Sequence, residues 1–428
     1  MGLPRFLSAG FEGYRILDFK EFLRDGRIEI WLEKVPDQAK WQCHRCGEKL
    51  GAKRGKYRMC IEGLPIMGNR VFVHFTREKG ECRNCRKARA EAIDFIADET
   101  PHLTQDYAWW LGKMCEFAPT SRVAEFVDQD ETGIWRLDFT RMKRMVALYK
   151  IPEVKRISVD ELYARKKKNG PNENQNERFF TVVTDLDTRK VIWVSESRSE
   201  KALAQFFILI GQAACRKIKV VATDQHDDYA RAVRRYCSNA TLVCDRFHIM
   251  QNFEKVLNET RMELHEELRR GSNMSELTRG KHRFLFLKKA NRRTEEEKKH
   301  IDQVVKENDK FLKLELIKER MIIFFDQPDI LQVRYAFHDV GKWIIEENFA
   351  PLKKWWCNLN SQWNQLANTF KHRVTTSVSE GINNVIKMLK RRAFGYRNME
   401  YFRLKIMQVC GYLNSQFIPS SNQHLAQI

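Results

Sequence analysis

Three acidic residues in this sequence have the setting of a metal-dependent site for phosphoryl transfer. Asp160 ends one apolar run and Asp224 directly follows another, while Glu380 lies where residues 379–387 open a helix. Carboxylates at neighbouring strand ends and on a packed helix can converge on two magnesium ions, because this cation prefers oxygen ligands. Such a pair of ions activates an attacking oxygen and stabilises the leaving 3′ oxygen during in-line displacement at phosphorus.

Any one of these carboxylates would be weak support by itself, because an aspartate at a strand end is usually a turn or cap residue. Nearby acidic residues compete for the same roles, namely Glu161, Asp227, Asp228 and Asp245. The three chosen residues are favoured because the order of the surrounding strands and the charge of the chain agree with them.

The elements that must position the carboxylates form an alternating β and α pattern. Three β-rich runs come first, and two further strands each follow a helix, which is typical of parallel α/β units. The predicted strands are residues 156–160, 179–184, 190–194, 218–223 and 240–244, and the predicted helices are residues 200–216 and 229–236. This arrangement predicts that the first two aspartates end strands of one mixed sheet.

Two CxxC pairs, Cys43 with Cys46 and Cys82 with Cys85, form a second group with clear chemistry. Each pair places two thiolates on one tight turn, and four thiolates complete a tetrahedral zinc site. The long separation between the pairs contains a predicted hairpin around residues 71–75, which indicates a zinc ribbon. The alternative to a zinc site is that the four cysteines are unrelated core residues. His44 and Cys60 are weaker candidates as zinc ligands.

A helix–turn–helix is predicted between residues 121 and 146. Residues 121–127 form the first helix, and Asp128 or Asp130 caps a second helix over residues 132–146. Its cationic side chains are placed to reach DNA; they are Arg136, Arg141, Lys143 and Arg144. The alternative interpretation is a plain helical connector.

A basic segment follows Glu380, with Phe394 and Tyr396 interleaved among the cations. Its Lys and Arg residues are Lys387, Lys390, Arg391, Arg392 and Arg397. Gripping of phosphates is the functional interpretation. A solvated helix face is the alternative, and proximity to Glu380 favours the first.

The bulk properties agree with a nucleic-acid partner. A net charge of +20 favours a polyanion, because neutralised phosphates release counterions; a basic protein without such a partner is the alternative. The amino terminus lacks a signal-peptide core, and the most apolar stretch, residues 206–215, is too short to span a bilayer. Eleven cysteines, an odd number, indicate reduced thiols. We expect a cytoplasmic protein without membrane contact.

Four segments resemble the transposases of the ISL3 family of bacterial insertion sequences. They are residues 159–161, 182–188, 244–248 and 380–398. The resemblance covers nearly all of the chain, and its most specific parts are Asp245–His248 and the segment at Glu380. It implies a DDE active site at Asp160, Asp224 and Glu380, a ribonuclease-H-like core and a helical insertion before the glutamate. Asp245 and His248 match the D-x-x-H signature of related transposases, which gives them an accessory role.

The expected fold is multidomain α/β, with a ribonuclease-H-like mixed sheet, an all-α insertion, an N-terminal zinc ribbon and a helix–turn–helix. The length of 428 residues fits several domains. The expected boundaries are residues 1–95 for the zinc ribbon, 96–152 for the helix–turn–helix, 153–249 for the first part of the catalytic core, 250–370 for the insertion and 371–428 for the second part.

The expected function is metal-dependent DNA cleavage at element ends, followed by strand transfer. Its cofactors are two Mg²⁺ or Mn²⁺ ions and one structural Zn²⁺. Its partners are double-stranded DNA, as terminal inverted repeats and as target, and a second copy of the chain, since synapsis needs a homodimer or higher oligomer. We expect it in the bacterial cytoplasm, associated with the nucleoid. The alternatives are a zinc-containing DNA-binding regulator without catalysis and a ribonuclease-H-type nuclease without strand transfer.

Overall fold

A computed structural model of the chain describes residues 10–35, 39–165, 175–223, 227–268, 282, 284–372 and 377–413. Contacts divide the chain into two compact units. The terminal unit comprises residues 1–150 and 388–428, and the central unit comprises residues 151–387. Among the helices of these described ranges, none is both long enough and apolar enough to cross a membrane.

The described residues contain two five-stranded sheets and thirteen α-helices. The strands are β1 Tyr14–Phe22, β2 Arg27–Lys34, β3 Lys53–Ile66, β4 Asn69–Cys82, β5 Lys87–Ala90, β6 Arg156–Tyr163, β7 Phe179–Asp185, β8 Lys190–Ser195, β9 Val220–Thr223 and β10 Thr241–Cys244. The helices are α1 Gln105–Phe117, α2 Thr120–Phe126, α3 Glu131–Leu148, α4 Glu200–Lys217, α5 Asp227–Tyr236, α6 Arg246–Glu266, α7 Glu295–Glu307, α8 Asp309–Phe325, α9 Ile330–Glu347, α10 Ala350–Ser361, α11 Trp363–His372, α12 Ser377–Arg392 and α13 Met399–Val409.

The sheet of the terminal unit has the order β1-β2-β4-β3, with β5 paired to β4. In β2, alternate residues are buried, as expected for a strand with one face on a core. Strands β3 and β4 form the hairpin predicted around residues 71–75. Its two turn residues, Met67 and Gly68, both have positive φ, which matches the right-handed strand twist as type I′ turns do. The hairpin therefore carries the chain from the first cysteine pair to the second.

Helices α2 and α3 lie at the positions predicted for the helix–turn–helix. Asp130 caps α3, because its carboxylate accepts a hydrogen bond from the backbone N–H of Gly133 at 2.7 Å. Asp128 lies in the preceding turn with a φ of 51°. The structure thus decides between the two predicted caps in favour of Asp130.

A buried polar network joins α3 to α13 inside the terminal unit. Asp138 is fully buried and accepts hydrogen bonds from Tyr401 Oη at 2.7 Å and Lys405 Nζ at 3.0 Å. Lys405 also donates to the backbone carbonyl of Cys115 at 2.6 Å. Buried charges require such pairing to offset their desolvation. Burial and the charge of Asp138 raise the pKa of Tyr401, which keeps the phenol protonated as a donor.

The sheet of the central unit has the order β10-β9-β6-β7-β8. Strands β6, β7 and β8 are antiparallel neighbours, whereas β9 and β10 run parallel to β6. All five strands and both helices predicted from the sequence are present here. From residue 246 to residue 372, the described part of the chain contains helices and no strand. These helices share one apolar core that includes Phe253, Phe324 and Trp356.

Candidate active site and cysteine cluster

Asp160 lies inside β6, the central strand of the second sheet, and is buried. The prediction that it ends its strand was wrong, because β6 continues to Tyr163 through its pairing with β7. One carboxylate oxygen accepts a hydrogen bond from the amide of Asn383 at 2.5 Å. The other accepts from the backbone N–H of Glu161 at 2.8 Å and lies 3.4 Å from Nε2 of His248. Both oxygens of this carboxylate are therefore held in fixed positions.

Helix α12 docks on β6 through a second polar contact. The hydroxyls of Ser158 and Ser379 lie 2.8 Å apart and are buried. Ser158 lies two residues before Asp160 and therefore on the same face of the strand. Asn383 lies about one helical turn after Glu380 and therefore on the same side of the helix. Glu380 is exposed in the first turn of α12. The start of α12 is thus fixed against the strand that carries Asp160.

Asp245 and His248 extend the group around Asp160. Asp245 caps α6 by accepting a hydrogen bond from the backbone N–H of Phe247 at 2.7 Å. Its other oxygen lies 3.7 Å from Nε2 of His248. The structure therefore brings together Asp160, Asp245 and His248, with the imidazole between two buried carboxylates.

Asp224 lies outside the described residues. The strand that precedes it is described, and its last residue, Thr223, is the register partner of Val159. Thr223 is also the register partner of Cys244 on the other side. The residues that precede Asp160, Asp224 and Asp245 are therefore aligned across three parallel strands.

Two of the competing acidic residues, Glu161 and Asp228, pair with arginines. Glu161 accepts two hydrogen bonds from the guanidinium of Arg198, at 3.2 and 3.0 Å. Its position next to Asp160 on a strand places it on the opposite face. Asp228 pairs with Arg231 on α5, and the side chain of Asp227 lies outside the described residues.

Sequence reasoning did not select Ser158, Ser379 or Asn383, although they form the contacts between β6 and α12. The available signal was spacing, because Asn383 lies three residues after Glu380 and Ser158 lies two residues before Asp160. Such spacing shows that two residues lie on the same face of one helix or strand. It does not show which faces of two distant elements meet.

The four predicted zinc ligands converge in the terminal unit. The sulfur atoms of Cys43, Cys46, Cys82 and Cys85 all lie within 4.8 Å of one another. Three Sγ–Sγ distances are 3.4 Å for Cys46–Cys82, 3.6 Å for Cys46–Cys85 and 3.9 Å for Cys43–Cys85. The two CxxC turns are closed by backbone N–H donors to Sγ of Cys43 and Cys82. These four thiols have the donor chemistry and proximity of a metal site.

The weaker ligand candidates lie apart from this cluster. His44 directs Nδ1 to the backbone carbonyl of Ala90 at 3.0 Å. Cys60 lies on β3, with its sulfur 4.0 Å from Nε2 of His74. A hydrogen bond from the backbone of Glu48 lowers the pKa of the Cys46 thiol to about 7, whereas burial and the neighbouring thiols raise the pKa of Cys82 to about 12.

The cations predicted to reach DNA from α3 have different surroundings. Arg136 is exposed, whereas Arg141 is buried and pairs with Glu116 at 3.1 Å. Its side chain packs against Gly112, where a Cβ atom would lie 2.6 Å from the arginine Cδ. Arg141 therefore joins helices, and its expected DNA contact is not supported.

Two other cations of α3 are exposed and form surface ion pairs. Lys143 lies 3.2 Å from Glu400, and Arg144 lies 3.3 Å from both Asp98 and Glu99. Surface pairs of this kind contribute little stability, so phosphates can compete for these cations. In the basic segment, the side chains of Lys387, Arg391, Arg392 and Arg397 are exposed and that of Lys390 is half-buried.

Comparison with known proteins identifies the family of this chain. The family model of the ISL3 transposases, described as "Transposase", matches residues 157–406. The transposase for insertion sequence element IS1001 of Bordetella parapertussis is 25% identical over 401 residues, which cover 93% of this chain and 95% of that protein. The transposase for insertion sequence element IS1557 of Mycobacterium tuberculosis is 21% identical over 308 residues, which cover 63% of each chain. Because the family model spans more than half of the sequence, this chain belongs to the ISL3 family of DNA transposases.

Proposed function

We propose that this transposase cuts DNA at the ends of its element and joins the freed strands to target DNA through a DDE site of Asp160, Asp224 and Glu380. One observation carries the proposal: the buried Asp160 carboxylate is held by Asn383, from the helix that begins beside Glu380. This contact holds the glutamate-bearing helix against the strand of Asp160, and a shared cation site needs oxygen ligands from both elements.

The strand order of the central unit supports a ribonuclease-H-like core. Three antiparallel strands are followed by two strands parallel to the first, and β6 lies in the middle. We propose residues 153–249 and 371–428 as the two parts of this core, although residues 388–428 group by their contacts with residues 1–150. Residues 250–370 are proposed as its helical insertion. Residues 1–95 and 96–152 are proposed as the zinc ribbon and the helix–turn–helix domain.

The chemistry around Asp160 fits a divalent cation. Within the described part of the chain, the Asp160 carboxylate contacts an amide, an imidazole and a backbone N–H. A buried carboxylate without a Lys or Arg partner is costly, and metal-bound carboxylates are commonly held by neighbouring hydrogen bonds. We propose Asp160, Asp224 and Glu380 as ligands of two Mg²⁺ or Mn²⁺ ions. When bound, these ions supply activation of the attacking oxygen and stabilisation of the leaving oxygen.

The protein side chains provide position rather than covalent chemistry, as in phosphoryl transfer generally. Asn383 and His248 orient Asp160, and Asp245 orients His248 while capping α6. Water attacks the phosphorus at the element end first, which releases a 3′ hydroxyl. That hydroxyl then attacks a target phosphate, and the target strand leaves with its own 3′ oxygen.

The cysteine cluster is proposed to bind one structural zinc ion. With zinc–sulfur bonds of about 2.3 Å, the edge of a tetrahedral site is about 3.8 Å. Three of the six sulfur separations are 3.4, 3.6 and 3.9 Å, which fit that size, and all six lie within 4.8 Å. The ion would join the segment before β3 to the turn between β4 and β5.

The exposed cations are proposed to bind DNA, with contacts to phosphates setting affinity and register. They are Arg136, Lys143 and Arg144 on α3, together with Lys387, Arg391, Arg392 and Arg397; the half-buried Lys390 is included with them. Terminal inverted repeats and target DNA are the partners. Because two ends must be held together, we propose a homodimer or higher oligomer for the synaptic complex.

Incubation of the full-length protein with Mg²⁺ and duplexes that carry the element's inverted repeats tests this function. We expect cleavage at the repeat boundary and covalent joining of the released 3′ ends to a target duplex. Binding without cleavage would contradict the proposal in favour of a regulator. Cleavage without joining would contradict it in favour of a nuclease.

Loss of the Asn383 amide should weaken catalysis through Asp160. We expect Asn383→Ala to reduce the cleavage rate by about 10- to 100-fold, the usual cost of removing a group that orients a metal ligand. The Mg²⁺ concentration at half-maximal rate should rise, whereas DNA affinity should not change. Single-turnover cleavage over a Mg²⁺ titration measures both effects.

Asn384 provides the matched control, because it is the next residue on α12 and is exposed. Asn384→Ala should retain the normal rate and Mg²⁺ dependence. An equal loss in both variants, or a slower Asn383→Ala enzyme with an unchanged Mg²⁺ midpoint, would show that Asn383 does not position a metal ligand.

A further inference from the structure

Phe394 combines two features that are unusual for an aromatic residue. Its side chain is 99% exposed, the highest value recorded for a large apolar residue in the described ranges. Its backbone has a φ of 49°, a left-handed conformation that bulky residues rarely adopt. A single exposed apolar side chain is ordinary. The left-handed residue that follows the end of a helix is usually glycine, so a fully exposed phenylalanine at this position is unusual.

The turn that presents Phe394 is held at both ends. The backbone N–H of Phe394 donates to the carbonyl of Arg391 at 3.0 Å, and that of Gly395 donates to Lys390 at 2.9 Å. Directly afterwards, the ring of Tyr396 stacks on the fully buried Phe402, with centroids 4.5 Å apart and planes 13° apart. The exposed ring therefore projects from a fixed point.

The residues around Phe394 are cationic. From residue 381 to residue 399 the sequence contains five Lys or Arg residues and no Asp or Glu. Arg391 and Arg397 are exposed on either side of the ring in the sequence. An aromatic ring among arginines is the combination with which proteins bind bases while gripping the phosphates beside them.

A protein partner fits these observations less well. Stable protein interfaces bury about 1,200–2,000 Å², whereas one phenylalanine buries roughly 150–250 Å², and the neighbours of this ring are charged. A pocket of about 600 Å³ adjoins the turn, with Phe394, Trp135 and Tyr396 among its lining residues. There is room beside the ring for a planar group.

We propose that Phe394 is a base-stacking residue, whose ring packs against the face of a nucleobase in bound DNA while Arg391 and Arg397 neutralise flanking phosphates. The inference rests on DNA being the substrate, as in the proposed function, and does not depend on the catalytic carboxylates. The base is supplied either by an unpaired end or by an opened step of the duplex.

Binding of the full-length protein to two DNA probes, without added Mg²⁺ or Mn²⁺, tests the proposal. One probe is a blunt duplex of the inverted repeat, and the other carries an unpaired 3′ overhang; fluorescence anisotropy gives Kd over a range of salt. Phe394→Ala should weaken binding to at least one probe by about tenfold, with an unchanged salt slope because no charge is lost. Phe394→Trp should restore affinity, and the affected probe identifies the source of the base.

Two further variants distinguish stacking from other effects. Arg391→Gln should lower the salt slope by about one, and Tyr335→Ala, which removes an aromatic side chain that is 75% exposed on α9, should leave Kd unchanged. The proposal is overturned if Phe394→Ala binds both probes with the wild-type Kd. It is also overturned if Phe394→Ala changes the salt slope, or if Tyr335→Ala weakens binding to the same extent. Absence of cleavage by the wild-type protein would refute the proposed function. The binding results could still be interpreted, because the binding measurements do not depend on cleavage.

Discussion

Asp160→Asn should abolish DNA cleavage and strand transfer while leaving DNA binding unchanged. Asparagine keeps the shape of the side chain and can still accept the hydrogen bond from the Glu161 backbone. It removes the negative charge that would hold the cations, and loss of comparable electrostatic stabilisation costs about a thousandfold or more in rate. Single-turnover cleavage and an independent Kd measurement separate the two effects.

Glu161 supplies the control, because it is a carboxylate one residue away that pairs with Arg198. Glu161→Gln should reduce cleavage by no more than a few-fold, since its pair is partly exposed and of small energetic value. If Asp160→Asn cuts at a normal rate, or if Glu161→Gln is the inactive variant, then the strand face chosen for the active site is wrong.

Cys82→Ser should remove zinc from the protein and destabilise the terminal unit. Cys82 is 2% exposed at the end of β4, and its sulfur lies 3.4 Å from that of Cys46. A serine hydroxyl is a poor zinc ligand, and binding of a structural zinc ion stabilises the folded state directly. We expect zinc content to fall towards zero and the Tm to fall by roughly 10 °C, with weaker binding to the element's ends.

Cys60→Ser is the matched control, because Cys60 is an exposed thiol of the same sheet that lies outside the cluster. It should keep the normal zinc content, Tm and DNA affinity. Metal analysis and differential scanning calorimetry measure these quantities. Full zinc occupancy in Cys82→Ser would contradict the four-thiolate site, and unchanged end binding would separate the zinc segment from DNA recognition.

The sequence predicted the elements of this fold well where the signal is local. The strands before Asp224 and Asp245 are short apolar runs between polar turns, and both are present. The cysteine pairs were identified because two CxxC turns together supply the four thiolates of a tetrahedral zinc site. Asp130 was identified as a possible cap because it precedes a helix with a polar side chain that can accept a backbone N–H.

The features that the sequence did not predict depend on contacts between distant segments. Arg141 and Arg136 lie on the same helix, and nothing in the local sequence separates a buried arginine from an exposed one. Only the packing of α1 on α3 places Arg141 beside Glu116 in the interior. Asn383 contacts Asp160 across more than two hundred residues of sequence. Hydrophobic periodicity gives the buried face of one helix, but the partner of a buried polar group follows from tertiary packing.

Mapping of the cation-binding residues on the DNA-bound protein tests the central claim most directly. Fe²⁺ substituted for Mg²⁺ generates hydroxyl radicals with peroxide, which cut the backbone next to the bound ion. The account predicts cuts near residues 160, 224 and 380 that excess Mg²⁺ suppresses and that Asp160→Asn eliminates. Cuts confined to other segments, or cuts at these three positions that persist in Asp160→Asn, would contradict a cation site built from Asp160, Asp224 and Glu380.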